Sequence, residues 1–150
     1  MHLGCGSVVK PGFVNIDRLK YPGVVICNLG IEPLPYGDNS VEYVFSNHFF
    51  EHLGTQEINC LLDELYRVCR NGSVIDIVVP HHLSNSAYRV WHKQFFSEGF
   101  FNDYLVDRNG SSLDNKNYFR ISFHVSYQRY RWWLPIPIPC NIFFKLVVVK

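Results

Sequence analysis

The chain has 150 residues, a length that corresponds to one domain (residues 1–150) large enough to bury a hydrophobic core. It carries 14 basic and 13 acidic residues, and this net charge of +1 argues against a protein that binds nucleic acid through a basic surface. Aromatic residues make up 16% of the chain and alanine occurs once, at Ala87, so the composition argues against a purely helical bundle.

The cysteines and the apolar runs bear on where the protein resides. The five cysteines contain no CxxC pair, and their number is odd; they are Cys5, Cys27, Cys60, Cys69 and Cys140. We therefore expect free buried thiols and a cytoplasmic location. We expect no signal peptide and no transmembrane helix, because the opening is not basic-then-apolar and no apolar run reaches the roughly 20 residues of a membrane span.

Short apolar runs separated by turns predict strands in the first half of the chain. The runs are residues 1–3, 13–16, 24–27, 41–45 and 74–79. Before the last run, apolar residues at helical spacing from Ile58 to Cys69 predict a helix that Thr55 caps and that Asn71-Gly72 ends. A helix followed directly by an apolar strand is typical of a parallel α/β sheet.

The second half of the chain has a less regular pattern. Residues 84–101 have mixed spacing and are predicted to be partly helical, and residues 109–117 form a polar turn region. Alternating apolar residues in 118–130 and an apolar run at 142–149 predict two further strands. The predicted fold is therefore a mostly parallel α/β sheet with a late antiparallel hairpin.

Small or polar residues follow the predicted strands. They are Gly4-Cys5-Gly6, Asp17, Asn28, Ser46-Asn47-His48 and Pro80-His81-His82. In open parallel sheets ligands bind beyond the carboxyl ends of the strands, which is where these residues converge. Glycines let a ligand approach the backbone closely, and a carboxylate at a strand end can accept two ribose hydroxyls. A plain tight turn at Gly4 and Gly6 and a turn residue at Asp17 are the alternative interpretations.

A nicotinamide-dependent oxidoreductase is disfavoured by the same residues. The fingerprint GxGxxG fails because Val9 occupies the position of its last glycine. Asp17 also follows Gly4 by 13 residues, whereas the acidic residue of that fingerprint follows by roughly 20.

Several motifs in order carry a resemblance to a known family. The motifs are HLGCG, PGFVNID, LPYGDNSVEYVFSNHFFEHL, LLDELYRVCRNG and IDIVVP, within residues 2–80. Together they resemble the class I S-adenosylmethionine-dependent methyltransferases, in particular small ones that begin almost at the glycine loop. A weaker echo lies in His92-Lys93-Gln94-Phe95-Phe96. The resemblance implies a Rossmann-like sheet shortened at its N-terminus, S-adenosylmethionine as the cofactor, and methyl transfer to a small-molecule or saccharide acceptor.

The resemblance also implies roles for individual residues. The cofactor-binding residues would be Gly4, Cys5 and Gly6 under the methionine part, Asp17 at the ribose, Asn28 and Leu29 at the adenine, and Ser46 and Asn47 beside the sulfonium. The catalytic residues would be His48 and His81, since a histidine on the acceptor side can act as general base for a hydroxyl. A metal site of His81, His82, His92 and a carboxylate lacks a diagnostic spacing, so we predict no metal.

Two features keep a different class of function open. Only six residues lie between Gly6 and Phe13, too few for a crossover helix, and Asn28 stands where the family usually has Asp. They motivate the alternative of a non-catalytic methyltransferase-like binding or interaction module. The segment Tyr127–Trp133 is a candidate for sugar or base stacking, for peripheral membrane contact, or for a partly covered sheet edge. The apolar, proline-broken stretch after it is a candidate homodimer surface.

Overall fold

The computed structural model describes residues 1–101, 119–129 and 137–150. The strands are β1 (His2–Leu3), β2 (Asn15–Asp17), β3 (Val24–Ile26), β4 (Val41–Asn47), β5 (Cys69–Pro80), β6 (Phe119–Arg129) and β7 (Pro137–Val148). A helix, α1 (Thr55–Val68), lies between β4 and β5 in the chain, and two 3₁₀ turns cover Phe50–His52 and Asn85–Ala87.

The strands form one sheet with the order β3-β2-β1-β4-β5-β7-β6. Strands β1 to β5 run parallel, and β7 runs antiparallel to both β5 and β6. This topology confirms the predicted mostly parallel α/β sheet with a late antiparallel hairpin, and β1, with two residues, is as short as the sequence suggested. The carboxyl ends of β1, β2 and β4 therefore meet at one edge of the sheet.

Helix α1 forms the core together with one face of the sheet. Its apolar side chains recur at helical spacing and are fully buried: Ile58, Leu61, Leu62, Leu65 and Val68. They belong to one cluster with alternate residues of β4 and β5, among them Val44, Ile75 and Ile77. Each such side chain contributes about 1.5–3 kcal/mol when it leaves water, so this layer fixes α1 against the sheet.

The start of α1 differs from the prediction in its capping residue. Thr55 is the first helical residue rather than the cap, and Gly54 precedes the helix with extended backbone. The Gly54 N–H donates to the carboxylate of Glu57, so a side chain of the first turn satisfies the N–H of the capping residue, whereas a threonine cap would accept an N–H from within that turn.

The predicted end of α1 at Asn71-Gly72 is wrong. The helix ends at Val68, because Cys69 is already extended (ψ 142°) and begins β5. Gly72 lies inside β5 with φ +81°, in the stretch where the pairing of β4 with β5 shifts register. Gly72 therefore adopts the positive φ typical of a helix end, but it does so at an irregularity within a strand.

The hairpin strands are longer than predicted at one end. β6 covers Phe119–Arg129, close to the expected range, whereas β7 begins at Pro137 rather than at Ile142. Pro137 and Pro139 pair only with β6, past the point where β5 stops contacting β7. Proline is tolerated there because that part of β7 has a partner strand on one side only.

Some predicted features lie outside the described residues. They are the polar turn at 109–117 and the Trp132-Trp133 pair. Across residues 1–101, 119–129 and 137–150, no helix combines the length and the apolar character that crossing a bilayer requires.

The face of the sheet opposite α1 carries no helix from the described residues. The connection between β1 and β2, residues 4–14, contains no helix, as the short spacing after Gly6 predicted, and the connection between β2 and β3, residues 18–23, contains none either. Side chains on this open face line a cavity of about 720 Å³, among them Phe45, Asp76 and His124.

The five cysteines are all free, and three of them are buried: Cys5, Cys27 and Cys69. Cys60 and Cys140 are only half-buried, which corrects the expectation of burial for these two. Burial raises the pKa of the Cys69 thiol to about 11, because the charged thiolate is disfavoured away from water.

Iodoacetamide at pH 8 is therefore expected to alkylate Cys60 well before Cys69 in the folded protein. With a pKa near 11, roughly one Cys69 thiol in a thousand is ionised at that pH, and its burial blocks access as well. Timed alkylation followed by mass spectrometry of the peptides measures both rates, and in denaturant the two should converge. Equal rates in the folded protein would contradict the burial of Cys69.

Candidate active site

A cleft of about 690 Å³ opens at the carboxyl ends of β1 and β2. It is lined by six of the residues predicted to bind the cofactor or to act in catalysis: Gly4, Gly6, Asp17, Asn28, Leu29 and His48. These residues lie at or just after the carboxyl ends of four different strands. The sheet order brings them together, since β1 and β2 are neighbours, β3 flanks β2 and β4 flanks β1.

The loop after β1 requires glycine at position 4. Gly4 has φ +62°, and its N–H donates to the Ile16 carbonyl oxygen at 2.9 Å, which ties the loop to β2. A Cβ atom on Gly4 would lie 2.1 Å from Cγ of Phe49, so only glycine fits beside this ring. Gly6 has φ +52°, and among the described residues no atom lies within 4 Å of the place its Cβ would take. The backbone at Gly6 is therefore accessible to a ligand.

The carboxylate of Asp17 closes the loop from the end of β2. Its Oδ2 accepts the Gly6 N–H at 2.8 Å, and its Oδ1 accepts the Leu19 N–H at 2.9 Å. Each carboxylate oxygen has a second lone pair, so the group can still accept two hydroxyls from the cleft. Asp17 thus both shapes the loop and presents charged acceptors to a ligand.

The turn after β3 supplies the wall next to Asp17. The Asn28 N–H donates to Oε2 of Glu32 at 2.8 Å, and the Asn28 carbonyl accepts the N–H groups of Ile31 and Glu32. Leu29 is buried beside it. The turn is therefore held by its own hydrogen bonds, and it offers the cleft one amide side chain and one apolar surface.

His48 follows β4 in a conformation that is rare for a residue with a side chain. Its φ is +52°, and its N–H donates to the Val78 carbonyl oxygen at 2.9 Å, which anchors it to β5. The ring Nδ1 lies 3.0 Å from Oε1 of Glu51, and the His48 side chain is 41% exposed. Because Glu51 accepts at Nδ1, the other ring nitrogen is left with its lone pair.

His81 is placed quite differently from His48. It is 1% exposed, its Nδ1 accepts the Leu83 N–H at 3.0 Å, and its Nε2 lies 3.2 Å from Oε1 of Glu98. The proton therefore resides on Nε2 and is donated to Glu98, whose pKa is lowered by its own backbone N–H and by His81. His82 stacks on the His81 ring at 4.4 Å. Both ring nitrogens of His81 are thus engaged within the protein.

Three further residues from the sequence do not line the 690 Å³ cleft. Ser46 is fully buried, and its hydroxyl lies 3.4 Å from the Leu3 carbonyl oxygen. Cys5 and Asn47 line the cavity on the open face of the sheet. Successive side chains of a strand point to opposite faces, so adjacent residues such as Ser46 and Asn47 cannot both reach one ligand from the same side.

A comparison with protein-family models identifies the family of this chain. The family model described as a methyltransferase domain matches residues 3–77, half of the chain. The chain belongs to this methyltransferase family. The family predicted from the ordered motifs is thereby confirmed, although no curated protein sequence matches the methyltransferase significantly.

Solved structures share the fold of this methyltransferase at low sequence identity. A SAM-dependent methyltransferase from Archaeoglobus fulgidus gives a TM-score of 0.73 at 15% identity, over 97% of this chain and 84% of that one. The chain paired with the Trm112 methyltransferase activator of Haloferax volcanii gives 0.65 at 12%, over 99% and 81%. A SAM-dependent methyltransferase from Methanosarcina mazei gives 0.54 at 14%, over 85% and 68%. These likenesses support the fold.

The methyltransferase cleft also contains residues outside the predicted cofactor-binding and catalytic set. Trp91, His92 and Lys93 form part of its wall. They are held there because the N–H of Lys93 donates to the Glu51 carbonyl oxygen at 2.8 Å, and Lys93 Nζ lies 3.0 Å from Oε2 of Glu57. The HKQFF echo was the available signal, but spacing alone does not tell which strand end it approaches.

One group of possible metal ligands occurs among the described residues of the methyltransferase. Glu51, His52 and His92 each present a ligand atom, and these atoms lie within 4.8 Å of one another. His52 and His92 line the cleft, and their rings meet edge to face at 4.9 Å. The group differs from the His81, His82 and His92 set considered from the sequence.

Proposed function

We propose that this methyltransferase binds S-adenosylmethionine in the 690 Å³ cleft and transfers its methyl group to a small-molecule or saccharide acceptor. The observation that carries the proposal is the junction of the Gly4 loop with the Asp17 carboxylate at the end of the sheet. A glycine backbone beside two carboxylate oxygens suits a ligand that has both an amino-acid part and a ribose.

The donor set fits the parts of the cofactor. Gly4 and Gly6 would lie against the methionine part, because the space beside Gly6 is open and the loop is fixed to β2. Asp17 would hold the ribose hydroxyls, and Asn28 with Leu29 would contact the adenine. Cys5, Ser46 and Asn47 are left out of this assignment, because they do not line the cleft. When bound, S-adenosylmethionine supplies a methyl group on an activated sulfonium.

The residues of this chain would then act mainly by orientation. Methyl transfer needs the acceptor in line with the methyl group, and a hydroxyl acceptor also benefits from a base. His48 suits this role because it borders the cleft and Glu51 fixes its ring from Nδ1. His81 is left out, since both of its ring nitrogens already have partners.

The test is a calorimetric titration of the untagged protein with S-adenosylhomocysteine, followed by methyl-transfer assays on hydroxyl-bearing small molecules and monosaccharides. Micromolar binding together with transfer to one of these classes supports the proposal. The absence of binding by a chain that circular dichroism shows to be folded overturns it.

Replacing His48 by glutamine should remove transfer to a hydroxyl acceptor and leave cofactor binding in place. The variant His48→Gln keeps a polar side chain of similar reach but provides no base, so we expect a rate loss of about 100-fold or more. S-Adenosylhomocysteine affinity should stay within about threefold, and the exposed His124 on the open sheet face provides the control His124→Gln. An unchanged rate in His48→Gln would remove His48 from the mechanism.

A second candidate is a non-catalytic methyltransferase-like interaction module. The open sheet face favours it, because residues 4–14 and 18–23 contribute no helix to cover the cavity there. A folded chain that binds no cofactor but forms a stable complex, with itself or with another protein, would support this candidate. Homodimer formation, peripheral membrane contact and the cytoplasmic location remain predictions.

A further inference from the structure

Three side chains with metal-binding chemistry converge at one wall of the cleft. Glu51 and His52 belong to the 3₁₀ turn after β4, and His92 comes from the segment after Asn85–Ala87. Their ligand atoms lie within 4.8 Å of one another. The convergence is fixed by the backbone, because the N–H groups of Lys93 and Gln94 both donate to the Glu51 carbonyl oxygen, at 2.8 and 3.2 Å.

The Glu51 carboxylate has one buried oxygen without a hydrogen-bond partner among the described residues. Glu51 is 1% exposed, and its Oε1 takes the contact with His48 at 3.0 Å. Among the described residues, nothing forms a hydrogen bond with its buried Oε2. A buried carboxylate oxygen without a hydrogen-bond donor or a cation beside it is energetically unfavourable, because the hydration lost on burial is not replaced.

His92 is oriented in the way that metal-binding histidines usually are. Its Nδ1 lies 2.9 Å from the Ala87 carbonyl oxygen. Nδ1 therefore carries the proton and donates it to that carbonyl, and Nε2 keeps the lone pair that a metal requires. A backbone carbonyl in this position fixes the tautomer and the ring plane of a ligand histidine.

We infer that Glu51 Oε2, His52 and His92 Nε2 form a binding site for a divalent transition-metal ion of the zinc type. Two imidazoles and one carboxylate are a donor set that such ions prefer, and they leave at least one coordination position for water or substrate. Ligand atoms around tetrahedral zinc lie about 3.4 Å apart, so modest side-chain rotation closes the group onto the ion. The inference departs from the absence of metal predicted from the sequence.

The location gives the site a role beyond cofactor binding. His52 and His92 both line the cleft, so an ion held by them would face the space left for an acceptor. A cation with an open position binds an anionic or hydroxyl oxygen of a substrate. Its three ligands are distinct from the proposed cofactor residues Gly4, Asp17 and Asn28, so metal binding can be measured separately from cofactor binding, although Glu51 also contacts His48.

The test is a titration of the untagged, metal-free full chain with Zn²⁺ by calorimetry and with Co²⁺ by visible absorption, in the absence of cofactor and acceptor. We expect one ion per chain and Co²⁺ ligand-field bands. His52→Gln and His92→Gln should each weaken affinity at least about 10-fold, and His124→Gln should leave it unchanged.

A further variant separates ligation from folding. Glu51→Gln keeps the size of the side chain and should also weaken the affinity for the ion. Thermal melts in the presence and absence of Zn²⁺ report whether each variant is folded and whether the ion stabilises it. Absence of binding by the folded parent chain, or equal affinity in the parent and in His92→Gln, would overturn the inference. Neither result bears on S-adenosylhomocysteine binding, which is measured separately.

Discussion

Gly4→Val is expected to abolish binding of S-adenosylhomocysteine and to leave a folded chain. The first atom added to Gly4 would lie 2.1 Å from Cγ of Phe49, so the ring has to move. Phe49 packs edge to face on the fully buried Phe50 at 5.9 Å, which blocks the inward direction. The ring is therefore expected to turn into the cleft, where it would occupy the space of the cofactor.

The matched control for this prediction is Gly72→Val. Gly72 has φ +81°, so valine there suffers the same kind of backbone strain, about 1–2 kcal/mol. Among the described residues, no atom lies within 4 Å of its Cβ position, and it lies in β5 away from the cleft. Calorimetry with S-adenosylhomocysteine should show wild-type affinity for Gly72→Val and no detectable binding for Gly4→Val, with thermal melts confirming that both are folded. Affinity within threefold of wild type in Gly4→Val would show that this loop does not cradle the cofactor.

Most of the fold could be predicted from the sequence, because the patterns that identify its helix and strands are local. Helical spacing from Ile58 to Val68 and apolar runs ending in polar residues identify α1 and the parallel strands without knowledge of distant contacts. The helix end was missed because Gly72 can serve either a helix terminus or a strand irregularity. Its pairing environment next to β4, which the sequence does not reveal, decides between them.

The site residues could be predicted from the sequence only in part, because some of them depend on strand register and on distant contacts. Asp17 is the last residue of β2 and His48 directly follows β4, so strand-end reasoning finds them. Ser46 and Asn47 also lie at a strand end, but which face each takes depends on the register of β4, and a shift of one residue exchanges them. His92 reaches the cleft because the N–H groups of the next two residues, Lys93 and Gln94, donate to the Glu51 carbonyl oxygen, and no local sequence pattern encodes such a distant contact.

Asp17→Ala is expected to weaken S-adenosylhomocysteine binding by about 100-fold or more. In the proposed assignment two ribose hydroxyls donate to this carboxylate, and each charge-assisted bond contributes about 1.5–3 kcal/mol. The substitution also removes the acceptors for the N–H groups of Gly6 and Leu19, so the loop loses the hydrogen bond from Gly6 to the end of β2. The exposed Asp38, which pairs with Arg67 at the surface, provides the control Asp38→Asn with unchanged affinity.

The variant Asp17→Asn separates the two contributions of this side chain. The asparagine oxygen can still accept one backbone N–H and hold part of the loop, but the negative charge toward the ribose is lost. Affinity between that of wild type and that of Asp17→Ala therefore supports a direct role at the ribose. Full affinity in Asp17→Asn would mean that the residue acts by shaping the loop around Gly6. Full affinity in Asp17→Ala would exclude both roles and move the cofactor away from the end of β2.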